Sequence, residues 1–180
     1  MTTQIGWPQL PPATRRRLLI VALSRGFLAV AALCALYFAL PLERLARFPL
    51  WLTLTAGVLV LAAITAYEVR AVVRATYPVV RAIQALALIV PLFLLLFAVT
   101  YFVLSQADAS SFNVAALTRA DALYFTVTVF TTVGFGDIVA RSQPARQLVT
   151  VQMILDLILL GAVIRAFVEA VRVARDSPGD

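Results

Sequence analysis

Thr131-Thr132-Val133-Gly134-Phe135-Gly136-Asp137, reading TTVGFGD, is the stretch on which the rest of the chain turns. Two glycines one residue apart permit backbone angles barred to residues with a Cβ, and threonines and an acid flank them. Directly upstream, Ala122 to Thr131 is apolar and too short to cross a bilayer. Before that run, Thr118 and Asp121 have the spacing of a capping box, a hydroxyl followed three residues later by an acid. This order predicts a half-length helix whose carbonyl end, with its partial negative charge, runs into TTVGFGD and favours a cation there.

Outward from this segment the chain is built for lipid. Of 180 residues 62% are hydrophobic and 13% charged, whereas soluble domains carry roughly 25% charge. Lysine and histidine are absent, which removes Schiff-base lysine, P-loop lysine and histidine-based metal or general-base chemistry. No enzyme and no cofactor is expected. The net charge of +6 comes from arginines that are not interleaved with aromatics, so no nucleic-acid groove is expected either. Cys34 is the single cysteine and lies in an apolar run, where it reads as an inert buried thiol.

Four apolar stretches, near 18–40, 50–67, 83–104 and 148–168, are bounded by prolines, arginines and serines. A core of ~30 Å needs roughly 20 helical residues, so all four are expected to span it. The first is longer than the h-region of a signal peptide and is read as a retained helix. Nine arginines fall on one side (Arg15, Arg16, Arg17, Arg70, Arg74, Arg81, Arg165, Arg172, Arg175) and five on the other (Arg44, Arg47, Arg119, Arg141, Arg146). Positive charge stays inside, so both termini are expected in the cytoplasm and 105–147 outside. The organisation that follows is a cytoplasmic segment 1–17, a peripheral two-helix hairpin 18–81, a domain 82–170 holding helix three, the short helix and helix four, and a tail 171–180. Arg70 and Arg74, four apart at a helix end, read as an anchor rather than a voltage sensor. About ten residues follow the last helix, too few for a regulatory domain.

TTVGFGD, with a short helix before it and spanning stretches on both sides, resembles the selectivity filter of potassium channels. The resemblance covers helix three to helix four, roughly half of the chain. It implies an all-α integral membrane fold, four transmembrane helices per chain with a re-entrant pore helix and filter between helices three and four. It also implies that the Thr132 hydroxyl and the carbonyls of Thr132, Val133, Gly134 and Phe135 coordinate dehydrated potassium, with Gly136 completing the filter. One filter per chain and no internal repeat then imply a homotetramer with the pore on its axis. The expected partners are copies of the chain itself, membrane lipid and K⁺; the expected location is the plasma membrane, and the alanine- and arginine-rich composition points to a prokaryote. A weakly selective cation channel, or a nonconducting scaffold retaining the pore fold, is the alternative.

Departures from the family pattern concern the surroundings of the filter. Phe135 has no phenol hydroxyl with which to tie the filter to the helix behind it. Thr128 stands nine residues before Asp137, where one bacterial subgroup has a glutamate that pairs with the aspartate. Asp137 is expected either to accept from Thr128 or to face the outer mouth, and Thr131 to support the filter. In helix four, Asp156 and Gln152 share a face. An acid at that depth either lines a cavity below the filter, concentrating cations, or turns away to pair with Arg25 or to hydrogen-bond behind the pore helix. Arg25 is expected to pair with Glu68. Gly161, the only glycine of helix four, is a hinge or a close-packing site. Pro91 is expected to kink helix three.

Overall fold

The computed structural model describes residues 12–45, 48–75 and 78–175. These form α1 (Pro12–Ala39), α2 (Leu42–Leu45), α3 (Leu50–Val73), α4 (Pro78–Ala107), α5 (Arg119–Phe130) and α6 (Gln143–Arg175). Prolines set most of the starts. Pro12 and Pro78 occupy the first position of α1 and α4, where a missing N–H costs nothing, and Pro49 (φ −56°, ψ 136°) precedes α3. No strand occurs among the described residues beyond one bridge, Phe112 with Ala140.

Each helix overruns the apolar stretch that announced it, because polar ends remain helical beyond the hydrocarbon-compatible part. The 33 residues of α6 measure about 50 Å at the helical rise. Among the described residues three helices are long and apolar enough to cross a membrane, namely α3, α4 and α6. In α1 the described apolar part is the shorter Gly26–Ala39. Arg15 to Arg17 occupy its start, and their side chains lie outside the described residues.

α4 is the hub, packing against α1, α2, α3, α5 and α6. Phe93, Phe97 and Tyr101 recur every fourth residue and so form one stripe along it. Their rings lie 5.0 and 6.1 Å apart, and Tyr101 then meets Phe125 of α5 edge-on at 5.1 Å. Phe112 closes the cluster at 5.5 Å from Phe125. α4 runs unbroken through Pro91. α3 approaches it at Gly57, where a Cβ would run into the Leu96 side chain.

The peripheral helices are also tied to α5. Tyr37, buried at the end of α1, donates from its hydroxyl to the Arg119 carbonyl at 2.8 Å. The Arg119 guanidinium donates back to the Phe38 carbonyl and, at 2.8 and 2.9 Å, to both oxygens of Glu43 on α2. Those bonds, then its own backbone N–H, hold the Glu43 carboxyl below its ordinary value. The start of α5 therefore sits with the end of α1, which places both at the same end of the bundle.

Candidate functional site

α5 begins where Thr118 and Asp121 cap it. The Thr118 Oγ1 accepts from the Asp121 N–H at 3.1 Å, and the Asp121 carboxylate accepts from the Thr118 N–H at 2.9 Å. Its 12 residues cover about 18 Å, short of a bilayer core of ~30 Å. The entry is fixed against α4, with the Leu117 N–H donating to Ser105 Oγ at 3.3 Å and Gln106 Nε2 donating to the Leu117 carbonyl at 3.3 Å. After Thr131 the chain returns to the end it came from. There Asn113 Nδ2 donates to the Asp137 carbonyl at 2.6 Å and its Oδ1 accepts from the Val139 N–H at 2.8 Å. Asp108 organises the same loop by accepting from Ser110 and Ser111, and the Ser110 bonds hold its carboxyl below the usual carboxylate range.

Between these fixed ends, residues 132–136 alternate in hand. Thr132, Gly134 and Gly136 have φ of 60°, 52° and 77°; no other described residue has a positive φ. Gly134 and Gly136 take this region freely, whereas threonine, branched at Cβ, is strained there by roughly 1–3 kcal/mol. The N–H groups turn back to the helix: Thr132 donates to Val129 at 3.0 Å, and Val133 and Gly134 both donate to the Thr128 carbonyl at 3.1 and 3.2 Å. The carbonyls do not. Among the described residues no hydrogen bond reaches the carbonyls of Thr132, Val133, Gly134, Phe135 or Gly136, nor engages the Thr132 hydroxyl, and all five residues are exposed in the single chain. The first three of the segment's donors are thus consumed behind it, and a row of acceptors is left over.

The supports differ from those expected. Thr128 is buried and its hydroxyl donates to the Phe125 carbonyl at 2.8 Å, so it does not serve Asp137. Asp137 is exposed and accepts instead from the Ile138 N–H at 3.0 Å, with the Tyr124 hydroxyl beside its carboxylate. Phe135 stacks on Tyr124, rings 6.4 Å apart and 6° from parallel. The phenol that Phe135 lacks is thus supplied from the helix side, by Tyr124. Thr131 Oγ1 donates to the Val127 carbonyl at 2.8 Å and continues the helix end.

Asp156 and Gln152 share a face as expected, but α4 and α5 cover that face. Gln152 is fully buried and Asp156 6% exposed. Tyr101 donates to Gln152 Oε1 at 2.6 Å; Gln152 Nε2 donates to the Thr126 carbonyl at 3.2 Å and to Asp156 Oδ2 at 3.3 Å. Asp156 Oδ1 is buried without a hydrogen-bond partner. The cavity-lining expectation for Asp156 and Gln152 therefore gives way to hydrogen bonding behind the short helix, because their partners Tyr101 and Thr126 lie within the same subunit. Gly161 is exposed, with open space where a Cβ would stand, so it makes no close packing within the chain. Glu68 has Arg81 as its ion partner, at 2.8 Å. The expected partner, Arg25, has its side chain outside the described residues.

Asn113, Tyr101, Tyr124 and the Thr126 carbonyl complete the site without having been singled out in the sequence. For Tyr101 and Tyr124 a signal exists in retrospect, since each is a polar-tipped ring on an apolar helix. Asn113 sits in a polar loop and carries none.

Residues 89–173, just under half of the chain, match a family model described as "Ion channel". No curated protein and no solved structure matches the chain. The match spans most of α4, all of α5, the TTVGFGD segment and nearly all of α6. It supports passive ion conduction by a membrane protein and not enzymatic turnover.

Proposed function

We propose that the chain is a four-span subunit of a homotetrameric potassium channel, with 131–137 as its selectivity filter. α5 is then a re-entrant pore helix, and α1 completes the four spans. One observation carries the reading: alternating backbone hand over 132–136, with the N–H groups of 132–134 bonded behind the segment and no carbonyl of 132–136 hydrogen-bonded among the described residues. Four copies around an axis would turn those carbonyls into stacked rings that replace the hydration shell of K⁺. The Thr132 hydroxyl would close the innermost ring, and the carbonyl end of α5 would stabilise a cation waiting below it.

The supports around the filter fit this role. Asn113 and Tyr124 hold the outer end through Asp137, while Gln152 holds the pore helix to α6. The faces of α6 left exposed carry Val151, Ile154, Leu157, Ile158 and Ile164, apolar side chains suited to lipid or to neighbouring copies. No cofactor takes part. The protein is proposed to lie in the plasma membrane of a prokaryote with both termini cytoplasmic, following the arginine asymmetry.

Liposomes containing only this protein provide the test. Potassium uptake is expected with wild type and none with Gly134→Ala, whose Cβ is strained at a φ of 52°. An intact tetramer that passes no ion would contradict the proposal.

A further inference from the structure

A cavity of about 530 Å³ opens between α1, α3 and α4, away from the filter. Glu68, Arg81 and Gln84 supply its charged and amide groups, Tyr67 and Leu88 line it beside them, and Gly26 and Ala29 line it from α1. Glu68 is 5% exposed, an expensive burial that needs compensation. Arg81 Nη2 lies 2.8 Å from Glu68 Oε2, yet off the line of a hydrogen bond, so among the described residues Oε2 has no hydrogen-bond donor. The Arg81 side chain is 29% exposed and retains N–H groups for an incoming acceptor. Arg81 also lies in the first turn of α4, which starts at Pro78. Counted along α4 it stands about 36 Å from Ser105, the residue that anchors the entry to the pore helix. The cavity is therefore at headgroup level on the membrane face opposite the filter.

We infer that this cavity is a binding site for a zwitterionic phospholipid whose headgroup carries a primary ammonium, a phosphoethanolamine headgroup. The site contains one carboxylate and one guanidinium, so a net-neutral headgroup with both signs matches it, whereas a purely anionic one meets Glu68. The ammonium donates to the Glu68 carboxylate, the lipid phosphate accepts from Arg81, and Gln84 offers both a donor and an acceptor beside them. A trimethylated headgroup has the same charges but no N–H, and leaves the carboxylate without that donor. Leu88 meets the start of the acyl chains, which ties the ligand to a lipid rather than to a free zwitterion.

The assay is competitive lipid retention, which needs no ion flux and so stands or falls apart from the conduction reading. The full-length assembly is delipidated in mild detergent and offered equal amounts of phosphatidylethanolamine, phosphatidylcholine and phosphatidylglycerol with identical acyl chains. Bound lipid is counted by native mass spectrometry. Wild type is expected to retain phosphatidylethanolamine roughly tenfold over each competitor, the value of one charge-assisted hydrogen bond. Glu68→Gln is expected to abolish the preference over phosphatidylcholine, and Arg81→Gln to lower retention of all three. Soluble phosphoethanolamine at the same concentration is expected not to displace the lipid; displacement would overturn the assignment to a lipid. Equal retention of the three lipids by wild type, which requires no variant to fold, overturns the inference, as does an unchanged ratio in Glu68→Gln.

Discussion

Replacing Gln152 by leucine is expected to loosen the short helix from α6, with a cost that follows from three hydrogen bonds. Gln152 is fully buried and joins Tyr101, the Thr126 carbonyl and Asp156 at 2.6, 3.2 and 3.3 Å. Side-chain hydrogen bonds between membrane helices average about 0.6 kcal/mol and reach ~1.7. The short bond from Tyr101 belongs near the top of that range and the two longer ones near its mean. Leucine has a similar volume, so little cavity cost is added. The sum is roughly 2–4 kcal/mol, because Tyr101, the Thr126 carbonyl and Asp156 Oδ2 lose their partner in an apolar surrounding. Tyr101→Phe removes one of the three bonds and is expected to cost about 1–1.5 kcal/mol. The double variant should cost about 1 kcal/mol less than the two singles together, since one bond is shared. Unfolding free energies from denaturing-detergent titration of the reconstituted protein supply the measurement. Additive costs, or a Gln152→Leu variant within about 0.5 kcal/mol of wild type, would refute the reasoning.

Other perturbations probe the ends of the site. Asn113→Ala removes both bonds that fix the segment after Gly136, and conduction under steady drive is expected to decay at least severalfold faster than in wild type; an unchanged decay would remove Asn113 from the filter's support. Tyr124→Phe keeps the ring stacked on Phe135 but deletes the hydroxyl beside Asp137, so it should show a smaller effect than Tyr124→Ala in the same recording. Glu43 has its folded-state value lowered by Arg119, so its contribution to stability is present above the ordinary 4.5 and is lost as pH falls through the folded value. A melting-temperature difference between wild type and Glu43→Gln is accordingly expected at pH 7 and should shrink below pH 4.5; a difference that grows on acidification contradicts the pairing.

What could be read from the chain depended on the range of the forces involved. Thr118 and Asp121 announce the start of α5 because a cap is settled within four residues, and the prolines at 49 and 78 do the same for α3 and α4. Gly134 and Gly136 announce positive φ, although Thr132 adopts it as well, against its own preference and only because both ends of the segment are held. Asp156 was not legible in this way. α6 is apolar on nearly every side, so its sequence does not say which side faces α4, and the answer lies with Tyr101 and Thr126, 55 and 30 residues earlier. That Arg81 pairs with Glu68 was not legible for a related reason: depth along a helix is readable, but rotation about its axis is not. Asn113 acts across 24 residues on Asp137, and a polar loop residue gives no notice of such a reach.

The account stands most directly on bi-ionic reversal potentials recorded from bilayers containing the purified protein, with potassium on one side and sodium on the other. Carbonyls of 132–135 that replace the water shell of potassium predict a potential close to the potassium equilibrium value, lost in Gly134→Ala. A reversal potential near zero, from a channel that conducts both ions alike, would contradict it.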